Sequence, residues 1–230
     1  RKEIINNFVK SFLLNDEEII ENLCKQIGRP IIQCPGEMRG FEERANYMID
    51  NADRALEDLV SRKDSEFDNY IKKEPLGTIF VIAPWNYPFN TSVNSIVPSL
   101  LSGNTVILKH SSQTPLCAEQ LFDAATKASL PKNIFQFLHL DHSSTSKVIS
   151  DNRINHVLFT GSVSGGREIK KSIGTRFIGA GLELGGKDPA YVRSDCNLEH
   201  AIENLVDGSY FCRLYRSDAA DSSLCVALAG

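Results

Sequence analysis

Four short segments hold side chains that could do chemistry on a small ligand. The first is Ala83-Pro84-Trp85-Asn86-Tyr87-Pro88. Its two prolines stiffen the turn and limit where Trp85 and Asn86 can point. A rigidly held Asn amide can donate to an oxyanion that forms only during reaction. The same residues would equally make a plain rigid turn with Asn86 bonded to backbone. The second segment is Leu108-Lys109-His110-Ser111-Ser112-Gln113. A lysine at the end of a buried strand can reach a ribose or phosphate oxygen as a charge-assisted donor, or it can simply be solvated. His110 has no neighbouring Cys, Asp or Glu ligand set, so it is not read as a metal ligand.

The third segment is Phe159-Thr160-Gly161-Ser162-Val163-Ser164-Gly165-Gly166-Arg167-Glu168. A strand, a turn of small residues and a helix start form a place for a pyrophosphate, because the backbone can come close and the helix N-terminus favours an anion. It is not a P-loop: Gly161 and Gly166 have the spacing, but Arg167 and Glu168 stand where Lys and Ser/Thr would hold phosphate and magnesium. Nor is it G-x-G-x-x-G. The fourth segment is Gly181-Leu182-Glu183-Leu184-Gly185-Gly186-Lys187. Glu183 lies among small and apolar residues, where desolvation would raise its pKa and suit it to general-base work. The alternative is a strand-end acid paired with Lys187.

These segments need a scaffold. Thr78-Ile79-Phe80-Val81-Ile82-Ala83 reads as a strand buried on both faces, as in a parallel sheet. Similar strands are expected at 105–108, 134–138, 156–159 and 190–192, with helical patterns after Pro88, from Pro115, over 145–149 and over 165–173. Such alternation predicts an α/β fold, a doubly wound parallel sheet. Ligands of such folds sit beyond the carboxyl ends of the strands, which directs attention to the loops after Ala83, Leu108 and Phe159. Before the sheet, Ile4, Ile5, Phe8, Phe12 and Leu13 form one helical stripe, and Ile19, Ile20, Leu23 and Ile27 another. Asn15 is the expected cap of the second and Gly28-Arg29-Pro30 its stop. A third helix is expected over 37–62, its charges forming a solvated face.

The 230 residues are 42% hydrophobic, enough for a sizeable core, and carry a net charge of -4. No basic stripe points to nucleic acid, and no apolar run reaches a membrane span of roughly 20 residues. The six cysteines include no C-x-x-C pair, so neither a zinc site nor a thioredoxin-like motif is expected; reduced thiols in a cytoplasmic protein are. The chain starts at Arg1 and reads as beginning inside a longer protein.

Pro84-Trp85-Asn86, Leu108-Lys109, Phe159-Thr160-Gly161-Ser162 and Leu182-Glu183-Leu184-Gly185-Gly186-Lys187, in that order and spacing, resemble the aldehyde dehydrogenase superfamily. The resemblance covers about residues 37–211 and extends to the N-terminal helices. It implies a Rossmann-like NAD(P)-binding domain over 1–211, with the family's oligomerisation hairpin near 64–75. It implies NAD or NADP as cofactor, held around Ile82, Ala83, Pro84, Trp85, Lys109, Ser112, Gly161, Ser162 and Leu184. Within that set Lys109 would bind the adenosine ribose, and Gly161 and Ser162 the pyrophosphate. By the same resemblance Asn86 would stabilise the thiohemiacetal oxyanion and Glu183 would activate the deacylating water. The implied reaction takes a small aldehyde to a carboxylic acid in a homo-oligomer: a cysteine thiolate attacks, hydride passes to the nicotinamide, and a thioester forms and is hydrolysed.

The sequence departs from that pattern in three places. Ser112 stands where many NAD-preferring relatives have a glutamate, which leaves room for a 2′-phosphate. His110 replaces a common proline. After Phe211 the expected nucleophile, due near Ser217, is missing; Lys, Asn and Ile, frequent before Phe211, do not occur after it. Residues 212–230 therefore read as an off-pattern, disordered tail in which neither Cys212 nor Cys225 is a nucleophile. The catalytic domain is expected to be missing from these residues, and the isolated chain is expected to bind a dinucleotide weakly and not to oxidise aldehydes. The alternatives are a non-catalytic dinucleotide-binding or subunit-pairing module, and an acyl phosphate or acyl-CoA reductase, which the Glu183 motif disfavours.

Overall fold

The structure, a computed structural model, describes residues 1–186, 189–210 and 226–228. Two amphipathic helices, α1 (Lys2–Leu13) and α2 (Asp16–Ile27), open the chain. Ile5, Phe8, Val9 and Phe12 form the buried stripe of α1, and Ile19, Leu23 and Ile27 that of α2. Asn15 sits at the N-cap position of α2, but its amide donates back to the Ser11 carbonyl and does not cap the helix. Asp16, Glu17 and Glu18 complement the positive end instead. Gly28 ends α2 with φ 67°, a left-handed conformation that glycine adopts without strain. After a 3₁₀ turn at Ile31–Gln33, α3 runs over Pro35–Leu56.

The expected extension of α3 to residue 62 is not found. Leu59 and Val60 are exposed, and β1 (Leu59–Lys63) pairs antiparallel with β2 (Asp68–Ile71). The Asp64 carboxylate accepts from the amides of Glu66 and Phe67, closing the turn between the strands. That local bond and the strand ladder outcompete a last helical turn. The β1–β2 hairpin thus spans Leu59–Ile71 and overlaps the 64–75 segment.

Then follow β3 (Thr78–Ile82), α4 (Pro88–Leu101), β4 (Thr105–Lys109), α5 (Pro115–Lys127), β5 (Phe135–Phe137), α6 (His142–Ser150), β6 (His156–Gly161), α7 (Val163–Ile173) and β7 (Gly179–Leu184). The five strands form a parallel sheet in the order β5-β4-β3-β6-β7. Residues alternate between its faces. Ile79, Val81, Val106, Leu108 and Phe135 pack against α1 to α5, while Phe80, Ile82 and Val157 pack against α6 and α7. Chain order runs from β3 to one edge and then resumes on its other side, so β3 and β6 flank a topological switch point.

The 190–192 strand does not belong to this sheet. As β8 (Ala190–Val192) it pairs in parallel with β9 (Val226–Leu228), and the fifth place in the sheet is taken by β7. Small residues hide β7 from a reading based on β-branched runs. They are small because their neighbours crowd them: a Cβ on Gly179 would meet the His156 ring at 2.8 Å, and one on Gly181 would meet Leu158 at 2.7 Å. Helix α8 (Leu198–Tyr210) follows β8. The reading of 212–230 as a disordered tail, with Cys212 and Cys225, lies outside the described residues except for β9.

Candidate functional site

A cavity of about 740 Å³ opens at the switch point. The 82–85 loop after β3, Lys109 and Ser111 after β4, the start of α6 and the β6–α7 turn line it. The sheet places these groups together because parallel strands end on the same side. Register holds the ends level: Ile82 lies beside Lys109 and Phe159, and the Ala83 amide donates to the Lys109 carbonyl at 3.0 Å.

Lys109 is buried, and burial lowers its pKa; no carboxylate among the described residues offsets the desolvation. The Glu168 carboxylate also lines the cavity but is paired with Lys171 at 2.6 Å, so the buried ammonium has no ion-pair partner among the described residues and fits an anionic ligand. Across the cavity, Ser162 caps α7 by accepting from the Gly165 amide at 3.0 Å. The first-turn amides of α7 have no intrahelical acceptors, so this end too suits an anion. Ile82, Ala83, Pro84, Trp85, Lys109, Gly161 and Ser162, all expected at a cofactor site, line this one cavity.

Two expected cofactor residues do not line it. Ser112 is exposed, and its neighbour Ser111 lines the cavity in its place. The Leu184 side chain packs over Gly166, where an added Cβ would meet it at 2.6 Å. The glycines of the β6–α7 turn are also required by packing, since a Cβ on Gly161 or Gly165 would strike the Phe159 ring at 2.6 Å.

Glu183 is exposed on the edge strand β7, so the burial expected around it is not present among the described residues. It lines a second, smaller cleft with Thr91, Asn94 and Ser95 of α4 and with Thr160. Asn86 lines neither cleft. Its side-chain oxygen accepts from the Tyr87 amide at 3.0 Å, the local bond of a rigid turn. Both residues nonetheless lie by the N-terminal half of α4, Asn86 before it and Glu183 beside it. Lys187, the other partner considered for Glu183, lies outside the described residues.

Sequence reasoning misses three residues near the site. Glu37 reads as one of the solvated charges of α3 and Arg29 as part of a helix stop, yet both are buried and paired, Arg29 Nη1 to Glu37 Oε2 at 2.9 Å. A signal exists: Glu37 falls on the apolar stripe of Phe41, Ala45, Ile49 and Ala52, where a solvated acid does not belong. His110 is the third. Its Nε2 donates to the Pro88 carbonyl (3.2 Å), and its Nδ1 accepts from the Thr114 hydroxyl (2.9 Å) and the Ser111 amide (3.2 Å). The histidine ties the Lys109 loop to the start of α4. Burial drives its pKa down to about 4, against the opposing effect of the Pro88 bond.

Among the described residues no helix is long and apolar enough to cross a membrane. Among the described residues Cys24, Cys117 and Cys196 are free thiols, and burial pushes the Cys117 thiol up, out of the reactive range.

The same architecture is present in known enzymes. The chain is 30% identical over 210 residues to the succinate semialdehyde dehydrogenase [NAD(P)+] Sad of Escherichia coli, covering 91% of this chain and 45% of that protein. It is 29% identical over 211 residues to the D-glyceraldehyde dehydrogenase (NADP(+)) of Picrophilus torridus, 43% of whose length it covers. A crystal structure of succinic semialdehyde dehydrogenase from Streptococcus pyogenes with NADP+ superposes with a TM-score of 0.84 at 26% identity, covering 94% of this chain and 47% of that one. The chain therefore spans less than half the length of these relatives. Residues 1–213 match the aldehyde dehydrogenase family, and with the parallel sheet and its switch-point cavity they lead to one conclusion: the chain belongs to that family.

Proposed function

We propose that the whole protein oxidises a small aldehyde to a carboxylic acid with NAD+ or NADP+, and that these 230 residues supply the dinucleotide site. One observation carries the reading: a buried, uncompensated Lys109 and the capped N-terminus of α7 face one cavity at the switch point. The dinucleotide, when bound, accepts the hydride. Lys109 would hold its adenosine ribose, and the Gly161–Ser162 turn with the first amides of α7 its pyrophosphate. Ser111 and Ser112 put no carboxylate beside Lys109, which supports acceptance of a 2′-phosphate as well as a free hydroxyl. Asn86 would donate its side-chain amide to the oxyanion formed by attack on the aldehyde, once turned from its bond to Tyr87. Glu183, open to solvent on its cleft, would take the proton of the water that releases the acid. The attacking thiolate must be supplied in addition, since no nucleophile motif follows Phe211 in this sequence.

The assembled protein is proposed to be an oligomer. Leu59, Val60, Phe67, Tyr70 and Ile71 leave the β1–β2 hairpin with an apolar surface open to solvent, which favours pairing with another subunit.

Calorimetric titration of the folded chain with NAD+ and NADP+ tests the cofactor reading. Saturable binding is expected, with no sustained NAD(P)H formation on adding an aldehyde. Absence of heat with both dinucleotides would overturn the site assignment. Steady turnover lost on Glu183→Gln would overturn the claim that a nucleophile is needed from elsewhere.

A further inference from the structure

The Arg29–Glu37 pair is costly to bury: its side chains are 2% and 0% exposed. A buried ion pair is weak evidence for stability, because desolvation of both charges offsets their attraction and apolar residues of similar volume often serve as well. Its partners indicate another use. Arg29 Nη2 donates to the Asn86 carbonyl at 2.6 Å, and its guanidinium lies 4.7 Å from the centre of the Tyr87 ring. Glu37 Oε1 accepts from the amides of Phe89 (3.0 Å) and Asn90 (2.9 Å), in the first turn of α4. The cation therefore grips the chain before Pro88 and the anion grips it after. A carboxylate is the right group for a helix N-terminus, where amides lack intrahelical acceptors. A carbonyl pointing the other way needs a donor, and the guanidinium fork serves it and the carboxylate at once. Pro84 and Pro88 fix their own φ, so the freedom left in the turn belongs to Trp85, Asn86 and Tyr87. The pair removes much of it.

We propose that Arg29 and Glu37 are positioning residues: together they hold the 84–88 turn so that Trp85 faces the cofactor cavity and Asn86 stands at the start of α4. The proposal rests on the cofactor reading above for its purpose, though not for its geometry.

Trp85 is the only tryptophan in the chain, so its fluorescence reports on this turn alone. The test compares the parent chain with Arg29→Lys and with the double variant Arg29→Met/Glu37→Met. Each is measured for cooperative unfolding, for acrylamide quenching of Trp85 without ligand, and for NADP+ affinity by calorimetry. The double variant leaves no lone charge and is expected to unfold cooperatively, at a lower midpoint because the Phe89 and Asn90 amides lose their acceptor. Its Trp85 should be quenched at least about twofold more readily, as for a locally loosened segment. Its NADP+ affinity should fall about tenfold. Arg29→Lys keeps the charge facing Glu37 but loses the fork, and should lie between the two. Parent-like quenching in the folded double variant would sink the proposal. If the double variant does not fold, parent-like quenching in Arg29→Lys sinks it instead. A parent chain that binds neither NADP+ nor NAD+ defeats the cofactor reading, while the ligand-free quenching still decides this one.

Discussion

Among individual residues, Lys109 and His110 are the most constrained, and for opposite reasons. Lys109 keeps a charge in a buried place with no ion-pair partner among the described residues. A ligand anion relieves that cost, so Lys109→Met should weaken NADP+ binding by about 2 kcal/mol while leaving the fold intact. Calorimetry on variant and parent checks this; an unchanged affinity would move the ribose end of the ligand elsewhere. His110 is kept neutral. Its folded pKa of about 4 lies below the ordinary 6.5, so between these values the unfolded chain binds the additional proton. Its contribution to stability is complete above pH 6.5 and is lost as pH falls toward 4. By pH 5 the loss should be about 2 kcal/mol, and it should be absent from His110→Gln. Urea unfolding at pH 7.5 and 5 gives the difference. His156 is also lowered by burial and adds a smaller loss in the same direction, common to both proteins.

At the scale of elements, the decisive contact is between β6, α7 and β7. Phe159 lies over Gly161 and Gly165, and Leu184 lies over Gly166, so the turn that faces the cavity is also a packing joint. Gly161→Ala should overpack it, costing about 1–3 kcal/mol, because the Phe159 ring offers no flexible end to displace. Adding Phe159→Leu should recover part of the loss, a coupling readable in a double-mutant cycle of unfolding free energies. Independent, additive effects would show that the ring moves aside freely. The capped start of α7 belongs to the same joint: Ser162 fixes the helix end that the anion would meet.

For the whole molecule, the strand order β5-β4-β3-β6-β7 matters most, since it parts the chain connections beside β3 and leaves a crevice there. A ligand in that crevice touches loops from both halves of the sheet, so binding should stabilise the domain as one unit. With NADP+ at 100 times its Kd, stability should rise by about 2.7 kcal/mol, and the melting temperature should climb with ligand concentration. A melting curve indifferent to NADP+ and NAD+ alike would mean that the crevice does not hold the dinucleotide. Elsewhere the chain leaves apolar surface uncovered, on the hairpin and along Leu198, Ile202 and Val206 of α8. A domain with such faces is incomplete as a burial unit among its described residues.

Much of this is legible without coordinates. Short β-branched runs such as 78–82 and 105–108 can bury both faces only in a parallel sheet, and parallel strands bring their following loops to one side. The grouping of Trp85, Lys109 and Ser162 follows from that alone. Local patterns cannot decide which elements compete. β7 carries too many small residues to look like a strand, and it is one because His156 and Leu158 of its neighbour fill the space. The last turn of α3 gives way to a hairpin whose partner strand lies further along the chain. Glu37 and Arg29 look like surface charges because a charge reads as solvated until its partner is known. Their partners, the carbonyl and amides around Pro88, are more than fifty residues away and meet them only when α3 packs on α4. Hydrophobic period is a property of neighbours in sequence; desolvation, close packing and ion pairing are properties of neighbours in space.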